Sequence, residues 1–239
     1  MSVLYQIRNQ VATITLNRPE SRNALDLSMC DELIKAATAA ASDALVRVIF
    51  VRANGPVFCA GADLKEREGM TEVRVRERRM AGFAAYAALE ALPMPAVAVL
   101  EGPAVGSGCE IAAACDFIVA TPAASFRTPE AIRGTVGATQ RLARVLGKRL
   151  AKDLMFTGRA LSAEEAREAG LVTRLVLASE LEQTLEEIKQ IILDAPLQSL
   201  RLAKRCIDRG VELDPKGALA TEIAAIEEQL ASGSWMGRK

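Results

Sequence analysis

The 239-residue chain contains no histidine. Histidine is the commonest general base and the commonest zinc ligand, so its absence excludes Ser-His-Asp and Cys-His catalysis and argues against a zinc site. The five cysteines are odd in number and form no C-x-x-C pair, which indicates neither a disulfide framework nor a metal site. We therefore expect no metal, and most of the thiols are expected to be small buried hydrophobes.

Other signals are also missing. Thirty basic residues balance thirty acidic residues, so no net field favours nucleic acid or an anionic membrane as a partner. No apolar run reaches the roughly 18 residues of a membrane span, and the N-terminus lacks the features of a signal peptide, which predicts a cytoplasmic protein. The phosphate loop G-x-x-x-x-G-K-[ST] is absent, and Gly106-Ser107-Gly108 is not followed by the third glycine of a dinucleotide fingerprint. Nucleotide hydrolysis and hydride transfer therefore have little support.

The apolar patterns that are present predict an α/β protein. Alternating apolar residues around Asn9-Gln10 predict a β-hairpin over residues 3–16, and a helix capped by Ser28 is expected to run to about Ala41. Residues 46–63 and 96–110 then repeat one plan, which is an apolar run, a Gly-Pro pair and a stretch of small residues. Continuously apolar strands are usually buried on both faces, so this plan predicts parallel strands joined by helical crossovers.

Helices dominate the rest of the chain. A long helix is predicted over about residues 71–92, ended by Pro93-Met94-Pro95. After a short strand at 116–120, the further predicted helices cover residues 163–169, 179–193, 197–209 and 216–230. We divide the chain into a core, residues 1–194, and a helical C-terminal part, residues 195–239.

The two small-residue loops are candidates for chemistry. A glycine-rich loop that opens a helix exposes backbone N–H groups, and two such loops from neighbouring strands can direct two donors at one oxygen as an oxyanion hole. The alternative is that Gly61, Gly106 and Gly108 only allow a strand to pack closely on a helix. The pattern alone leaves both interpretations open.

Three acidic residues, Glu110, Asp116 and Glu130, stand in apolar surroundings. Buried carboxyl groups have raised pKa values that suit proton transfer, and in a chain without histidine they are the obvious acid and base. The alternative is structural: Glu110 complements a helix N-terminus, Asp116 caps a helix or pairs with an arginine, and Glu130 lies exposed on a loop.

An ordered set of motifs goes further than these patterns. The motifs are Asn17-Arg18-Pro19-Glu20 with Asn23-Ala24-Leu25, Phe58 to Glu66, Gly106 to Glu110, Pro129-Glu130, Thr139-Gln140-Arg141-Leu142, and Thr157-Gly158 with residues 166–172. In order and spacing, the chain resembles the enoyl-CoA hydratase (crotonase) family over about residues 3–210. The resemblance implies a spiral of ββα units with a helical C-terminal part that forms trimers or dimers of trimers.

The resemblance also implies residue roles. The backbone N–H groups of Ala62 and Ser107 would form the oxyanion hole for an acyl-CoA thioester, and Glu110 and Glu130 match the two glutamates of the true hydratases. Residues that would bind coenzyme A and substrate are Ser21, Arg22, Ala60, Gly61, Asp63, Leu64 and Lys65. The implied reaction is hydration of a trans-2-enoyl-CoA of short or medium chain length, a lyase reaction of fatty acid metabolism. It needs neither a metal nor a redox cofactor, since coenzyme A is part of the substrate.

Two alternatives stay open. One is an enoyl-CoA isomerase, which would use mainly one glutamate, or another acyl-CoA enzyme of the same fold, a class whose members often lack one or both glutamates. A non-catalytic protein that associates with RNA through the arginines of residues 74–79 is the remote alternative. Three departures from the family are expected to alter the site or the assembly: Ser107 replaces a common glycine, the loop of residues 134–140 is short, and the segment after Leu230 lacks a further helix.

Overall fold

The structure is a computed structural model that describes residues 1–233. Its strands are β1 Val3–Arg8, β2 Val11–Leu16, β3 Val48–Ala53, β4 Ala96–Leu100, β5 Ala104–Val105, β6 Phe117–Ala120, β7 Ser125–Arg127, β8 Ala160–Ser162 and β9 Arg174–Leu175. Its α-helices are α1 Leu27–Ser42, α2 Glu72–Glu90, α3 Ser107–Ala113, α4 Arg141–Thr157, α5 Ala163–Glu168, α6 Leu181–Asp194, α7 Leu197–Gly210 and α8 Pro215–Ala231. Short 3₁₀ turns cover Pro19–Ser21 and Ala131–Arg133.

The strands form two sheets. In the larger sheet the strand order is β1-β2-β3-β4-β6-β9, and all neighbours after the antiparallel β1–β2 hairpin are parallel. In the smaller sheet, β5 pairs with β7 in parallel and β7 with β8 antiparallel. The predicted hairpin and the predicted α/β class are both confirmed.

The central strands are buried on both faces, as their continuous apolar sequence predicts. In β3, Ile49 and Val51 belong to one hydrophobic cluster, while Val48 and Phe50 belong to another. The first cluster includes the buried faces of α1 and α2, and the second includes that of α6. Helices therefore cover both faces of the sheet. In such an arrangement the carboxyl ends of the parallel strands, with the loops that follow them, lie at one edge of the sheet.

One local prediction is wrong, and one helix has no counterpart among the predicted elements. The N-cap of α1 is Asp26, whose Oδ1 accepts a hydrogen bond from the Met29 N–H at 2.8 Å, whereas Ser28 lies exposed inside the helix. Helix α4 was not predicted, and it is interrupted at Gly147, where φ is 71° and ψ is 162°. This interruption breaks the helical period of the sequence, which removes the usual signal for a helix.

The C-terminal helices pack mainly on each other, and a few contacts join them to the sheet. Lys204 of α7 forms an ion pair of 2.5 Å with Asp116, next to β6. The division of the chain at residue 194 stays a prediction. Residues 234–239, which include most of the C-terminal segment singled out above, lie outside the described residues.

Candidate active site

The two glycine-rich loops lie side by side. The Val105 N–H donates to the Cys59 carbonyl at 2.8 Å, and a Cβ atom at Gly108 would lie only 2.5 Å from the same oxygen. A Cβ atom at Gly61 would lie 3.0 Å from the Val105 carbonyl oxygen. The glycines therefore do allow close packing, and this packing places the two loops next to each other. The two interpretations of these glycines are compatible.

The N–H of Ala62 is directed away from its neighbouring segment. Leu25 accepts from the Asp63 N–H and donates to the Gly61 carbonyl, each at 2.8 Å. The Gly61 carbonyl and the Ala62 N–H belong to one trans peptide group and point in opposite directions, so the Ala62 N–H points away from Leu25. Ala62 lines a cavity that is described below.

Ser107 is the first residue of α3, and Gly106 before it has φ 52° and ψ −107°. A residue with a side chain rarely adopts that conformation, so the turn into the helix depends on glycine. The first N–H groups of a helix have no partner within it, which leaves the Ser107 N–H available to a ligand. Ser107 lines the same cavity as Ala62.

Glu110 lies on α3, one turn after Ser107, and its side chain is only 6% exposed. Its Oε2 forms an ion pair of 2.6 Å with Nη1 of Arg141. The second nitrogen of that guanidinium, Nη2, pairs with Oε2 of Glu90 at 2.6 Å. The buried carboxylate is therefore held from outside the cavity by an arginine that is itself held by an acid near the surface.

Glu130 is in a different environment. It is half-buried at the start of the 3₁₀ turn, and its Oε2 is buried without a hydrogen-bond partner in the described part of the chain. Burial raises the pKa of Glu130, and the nearby charge of Glu110 raises it further, while a backbone hydrogen bond and Arg133 oppose the shift. Contrary to the structural alternative, the residue is not on an exposed loop, and its environment favours the protonated form.

Both glutamates line one cavity, which we call the inner chamber. It has a volume of about 90 Å³, and its wall includes Ala62, Tyr86, Ser107, Glu110 and Glu130. A wider space of about 600 Å³, the outer channel, shares Ala62 and Glu130 with it. Two further grooves, one between α7 and α8 and one between α7 and the end of α2, contain neither Glu110 nor Glu130.

The predicted coenzyme A segment is only partly on the channel. Ala60, Gly61 and Leu64 line the outer channel, whereas the carboxylate of Asp63 pairs with Arg18 at 3.1 Å. The remaining three predicted residues are not part of the lining of either cavity: Ser21, Arg22 and Lys65. Backbone contact still connects the segments, since the Ala60 N–H donates to the Arg22 carbonyl at 3.0 Å.

Two further candidates have structural roles. Asp116 accepts from the Ala96 N–H at 2.7 Å and pairs with Lys204, so it acts as the structural alternative states, with a lysine in place of an arginine. In the proposed RNA-binding segment, Arg74 pairs with Glu77 and Arg78 is buried against Glu66. Two of the four arginines in that segment are therefore engaged in ion pairs.

Sequence reasoning missed the residues behind Glu110. Arg141 was noted only as part of a motif, and no role was assigned to Glu90 or Tyr86. A signal for Tyr86 exists, because Arg78, Gly82 and Tyr86 recur at helical spacing and form the buried face of α2. Over residues 1–233 the structure contains no group of three or more potential ligands that could hold a metal ion, and no helix there is long and apolar enough to cross a membrane.

The fold and the cavity define an α/β protein that presents two loop N–H groups and two carboxyl groups to one chamber. A family model described as "Enoyl-CoA hydratase/isomerase" matches residues 6–235, and the chain belongs to that family. The crotonase-type fold that the resemblance predicted is thereby confirmed.

Named relatives agree with this assignment. The chain is 42% identical over 223 residues to the mouse protein "Enoyl-CoA hydratase domain-containing protein 2, mitochondrial", covering 89% of this chain and 74% of that one. It is 37% identical to the "Short-chain-enoyl-CoA hydratase" of Clostridium acetobutylicum, covering 95% and 88% respectively. A crystal structure of an enoyl-CoA hydratase from Bacillus anthracis superposes with a TM-score of 0.91 at 37% identity, covering 95% of this chain and 90% of that one.

Proposed function

We propose that the protein adds water reversibly across the 2,3 double bond of a trans-2-enoyl-CoA thioester. The observation that carries this proposal is that the inner chamber is lined by Glu110, Glu130, Ala62 and Ser107 together. Two carboxyl groups in different environments can serve as base and acid, and two preorganised N–H donors can bind one developing oxyanion.

In the proposed mechanism the thioester oxygen accepts hydrogen bonds from the Ala62 and Ser107 N–H groups. Glu110 removes a proton from water as the water oxygen bonds to C3, and the negative charge moves to the thioester oxygen. Glu130 then gives its proton to C2, which completes the addition of one water molecule, and the proton taken up by Glu110 is transferred back to Glu130 before the next turnover. Loss of one such N–H donor typically costs about 3–4 kcal/mol of transition-state stabilisation.

The cavity dimensions favour a short acyl group. The outer channel of about 600 Å³ suits the extended pantetheine arm, while the inner chamber offers only about 90 Å³ beyond it. Phe83 and Tyr86 stand edge to face on the chamber wall, with ring centroids 6.2 Å apart, and they limit its depth. We propose substrates of about four carbons, with coenzyme A along Ala60, Gly61 and Leu64.

Isomerisation of a 3-enoyl-CoA is the second candidate. The observation that favours it is that one oxygen of Glu110 is already engaged by Arg141, whereas Oε2 of Glu130 has no partner among the residues described. A single carboxyl group suffices to move a proton between C2 and C4 of a bound substrate.

We further propose a homo-oligomer, as a trimer or a dimer of trimers, that requires no added cofactor. Nucleic acid is not proposed as a partner. A cytoplasmic location stays a prediction.

Product analysis tests this function. The enzyme is incubated with crotonyl-CoA, and separately with a 3-enoyl-CoA, in water enriched in ¹⁸O. Hydration predicts a 3-hydroxyacyl-CoA that carries one ¹⁸O at C3. A product from the 3-enoyl-CoA that is a 2-enoyl-CoA without label, together with no reaction of crotonyl-CoA, would establish the isomerase instead.

A further inference from the structure

The motif Thr139 to Leu142 carries no role in the mechanism above, yet the structure places its arginine against the proposed base. Arg141 bridges Glu110 and Glu90, with both N···O distances 2.6 Å. The side chains of Glu110, Arg141 and Glu90 are 6%, 19% and 54% exposed. The guanidinium therefore connects the chamber to the protein surface.

The arginine has little freedom to move. Its Cζ lies 5.8 Å from the centroid of the Tyr86 ring, and its Nε is buried without a partner in residues 1–233. Leu142, the next residue, is 3% exposed and anchors the start of α4 in the core. Two ion pairs, an aromatic face and a buried neighbour thus fix the guanidinium plane.

A buried carboxylate needs such a partner to remain charged, because desolvation without compensation disfavours the ion. The planar fork of arginine can hold two carboxylates at fixed angles, which the single ammonium group of a lysine cannot do. The contact engages Oε2 of Glu110, so Oε1 is the oxygen left for a water molecule.

We propose that Arg141 is a positioning residue for hydration: it fixes Oε2 of Glu110, directs Oε1 at the attacking water, and supplies the charge that lets Glu110 act as the base. This inference rests on the proposed function. Glu130 forms no ion pair with an arginine among the described residues, although the charge of Arg133 opposes the rise in its pKa. The two glutamates therefore lie in different environments: Glu110 is paired with an arginine, whereas Oε2 of Glu130 is buried without a partner in residues 1–233.

The groups that titrate or carry charge around Glu110 come from α2, α3, α4 and the 130 loop: Tyr86, Glu90, Cys109, Arg141 and Glu130. The two buried groups Tyr86 and Cys109 have pKa values raised by burial and stay neutral near pH 7. Arg67, Arg78 and Arg79 also line the chamber, and Arg141 is the cation that forms an ion pair with Glu110 among the described residues.

The test compares three variants of the full-length enzyme with crotonyl-CoA. Arg141→Gln is expected to lower kcat about 100-fold with KM little changed, since a misplaced base affects the chemical step more than binding. The acidic limb of its kcat/KM profile moves to higher pH, because a carboxylate without a neighbouring cation is harder to ionise. Arg141→Lys is expected to restore the acidic limb and only part of kcat. Arg144 lies on the same helix as Arg141 and forms an exposed ion pair with Glu212, in the loop after α7, so Arg144→Gln serves as the matched control, with wild-type kinetics expected.

Wild-type kcat and pH profile in Arg141→Gln would overturn the inference. If that variant does not fold, as judged by thermal unfolding, Arg141→Lys decides: an unchanged kcat shows that the planar bridge is not needed and overturns the proposal. The proposed function fails separately, namely when the wild-type enzyme hydrates no enoyl-CoA or when Glu110→Gln retains full activity.

Discussion

Gly106 controls the position of the Glu130 carboxyl group. A methyl group at Gly106 would overlap Oε1 of Glu130, and the positive φ of 52° disfavours any side chain there. We predict that Gly106→Ala lowers kcat for crotonyl-CoA about 100-fold, because the proton donor is displaced. The strained conformation adds a stability cost of about 1–3 kcal/mol.

Gly170→Ala is the matched control. Gly170 also has a positive φ, 82°, but no atom lies within 4 Å of its built Cβ. Gly170→Ala incurs the backbone strain without the overlap. Its free energy of unfolding is therefore expected to fall by a similar amount, while its kinetics stay those of the wild type. Equal activity of the two variants would show that Gly106 does not position Glu130.

Glu130 also links stability to pH. Because burial raises its pKa, the folded protein holds this proton more tightly than the unfolded chain. The contribution of the protonated Glu130 to the stability of the fold is therefore present at low pH and is lost as pH rises through the folded-state pKa. We predict that Glu130→Gln has a higher Tm than the wild type at pH 8, and that the difference disappears on acidification.

Glu165→Gln is expected to change Tm in the opposite direction. A backbone hydrogen bond from Ser162 is the main cause of the lowered pKa of Glu165. This contribution is present at neutral pH and lost as pH falls through the folded-state pKa, so the variant has a lower Tm at neutral pH than the wild type. Thermal scans from well below pH 4.5 to pH 8 test both signs, and parallel curves for Glu130→Gln and the wild type would refute the burial argument.

At the scale of elements, Asp26 fixes the start of α1. It caps the helix through Met29 and pairs with Arg18 at 2.9 Å. We predict that Asp26→Ala costs about 1 kcal/mol or more in urea unfolding, since both contacts are lost. Ser28→Ala is the control and is expected to change stability by less than about 0.5 kcal/mol. A larger cost at Ser28 would support the cap that the sequence suggested.

Periodicity predicted the elements whose signal is local. The hairpin follows from alternating apolar residues, β4 from a continuous apolar run and α2 from a helical stretch that ends before Pro93, and their predicted bounds agree with the structure to within a few residues. The cap was misplaced because both Asp26 and Ser28 are residue types that favour helix N-termini. Helix α4 was missed because Gly147 divides it into two short pieces.

The site was only partly predictable for a physical reason. Motifs suggested Glu110 and Glu130 because each stands in a short segment of recognisable composition. The contacts of Arg141 with Glu110 and Glu90 join residues 31 and 51 positions apart, so no local pattern contains them. Only the packing of α4 against α2 and α3 brings these groups together.

At the scale of the whole molecule, α7 and α8 leave many apolar side chains in contact with solvent. They are Ile207, Leu219, Ile223, Ile226 and Leu230. Apolar surface of this kind marks an interface between proteins, in line with the proposed oligomer. We predict that sedimentation equilibrium gives a mass of three, or six, copies of the 25.6 kDa chain.

The double variant Ile223→Glu, Ile226→Glu is expected to dissociate this assembly, because charges are costly in an apolar interface. Leu45→Glu introduces the same charge at a residue that is 70% exposed on the loop after α1, and it is expected to leave the mass unchanged. A monomeric wild-type protein would contradict the proposed assembly.

In the proposed mechanism Glu110 takes a proton from water and Glu130 gives a proton to C2, so hydration needs both carboxyl groups. Steady-state hydration of crotonyl-CoA by the wild type, Glu110→Gln and Glu130→Gln tests this requirement most directly. Either substitution alone is predicted to lower kcat by about 10²–10⁴-fold, since each removes one proton-transfer group. Retention of wild-type hydration by either variant would contradict the account.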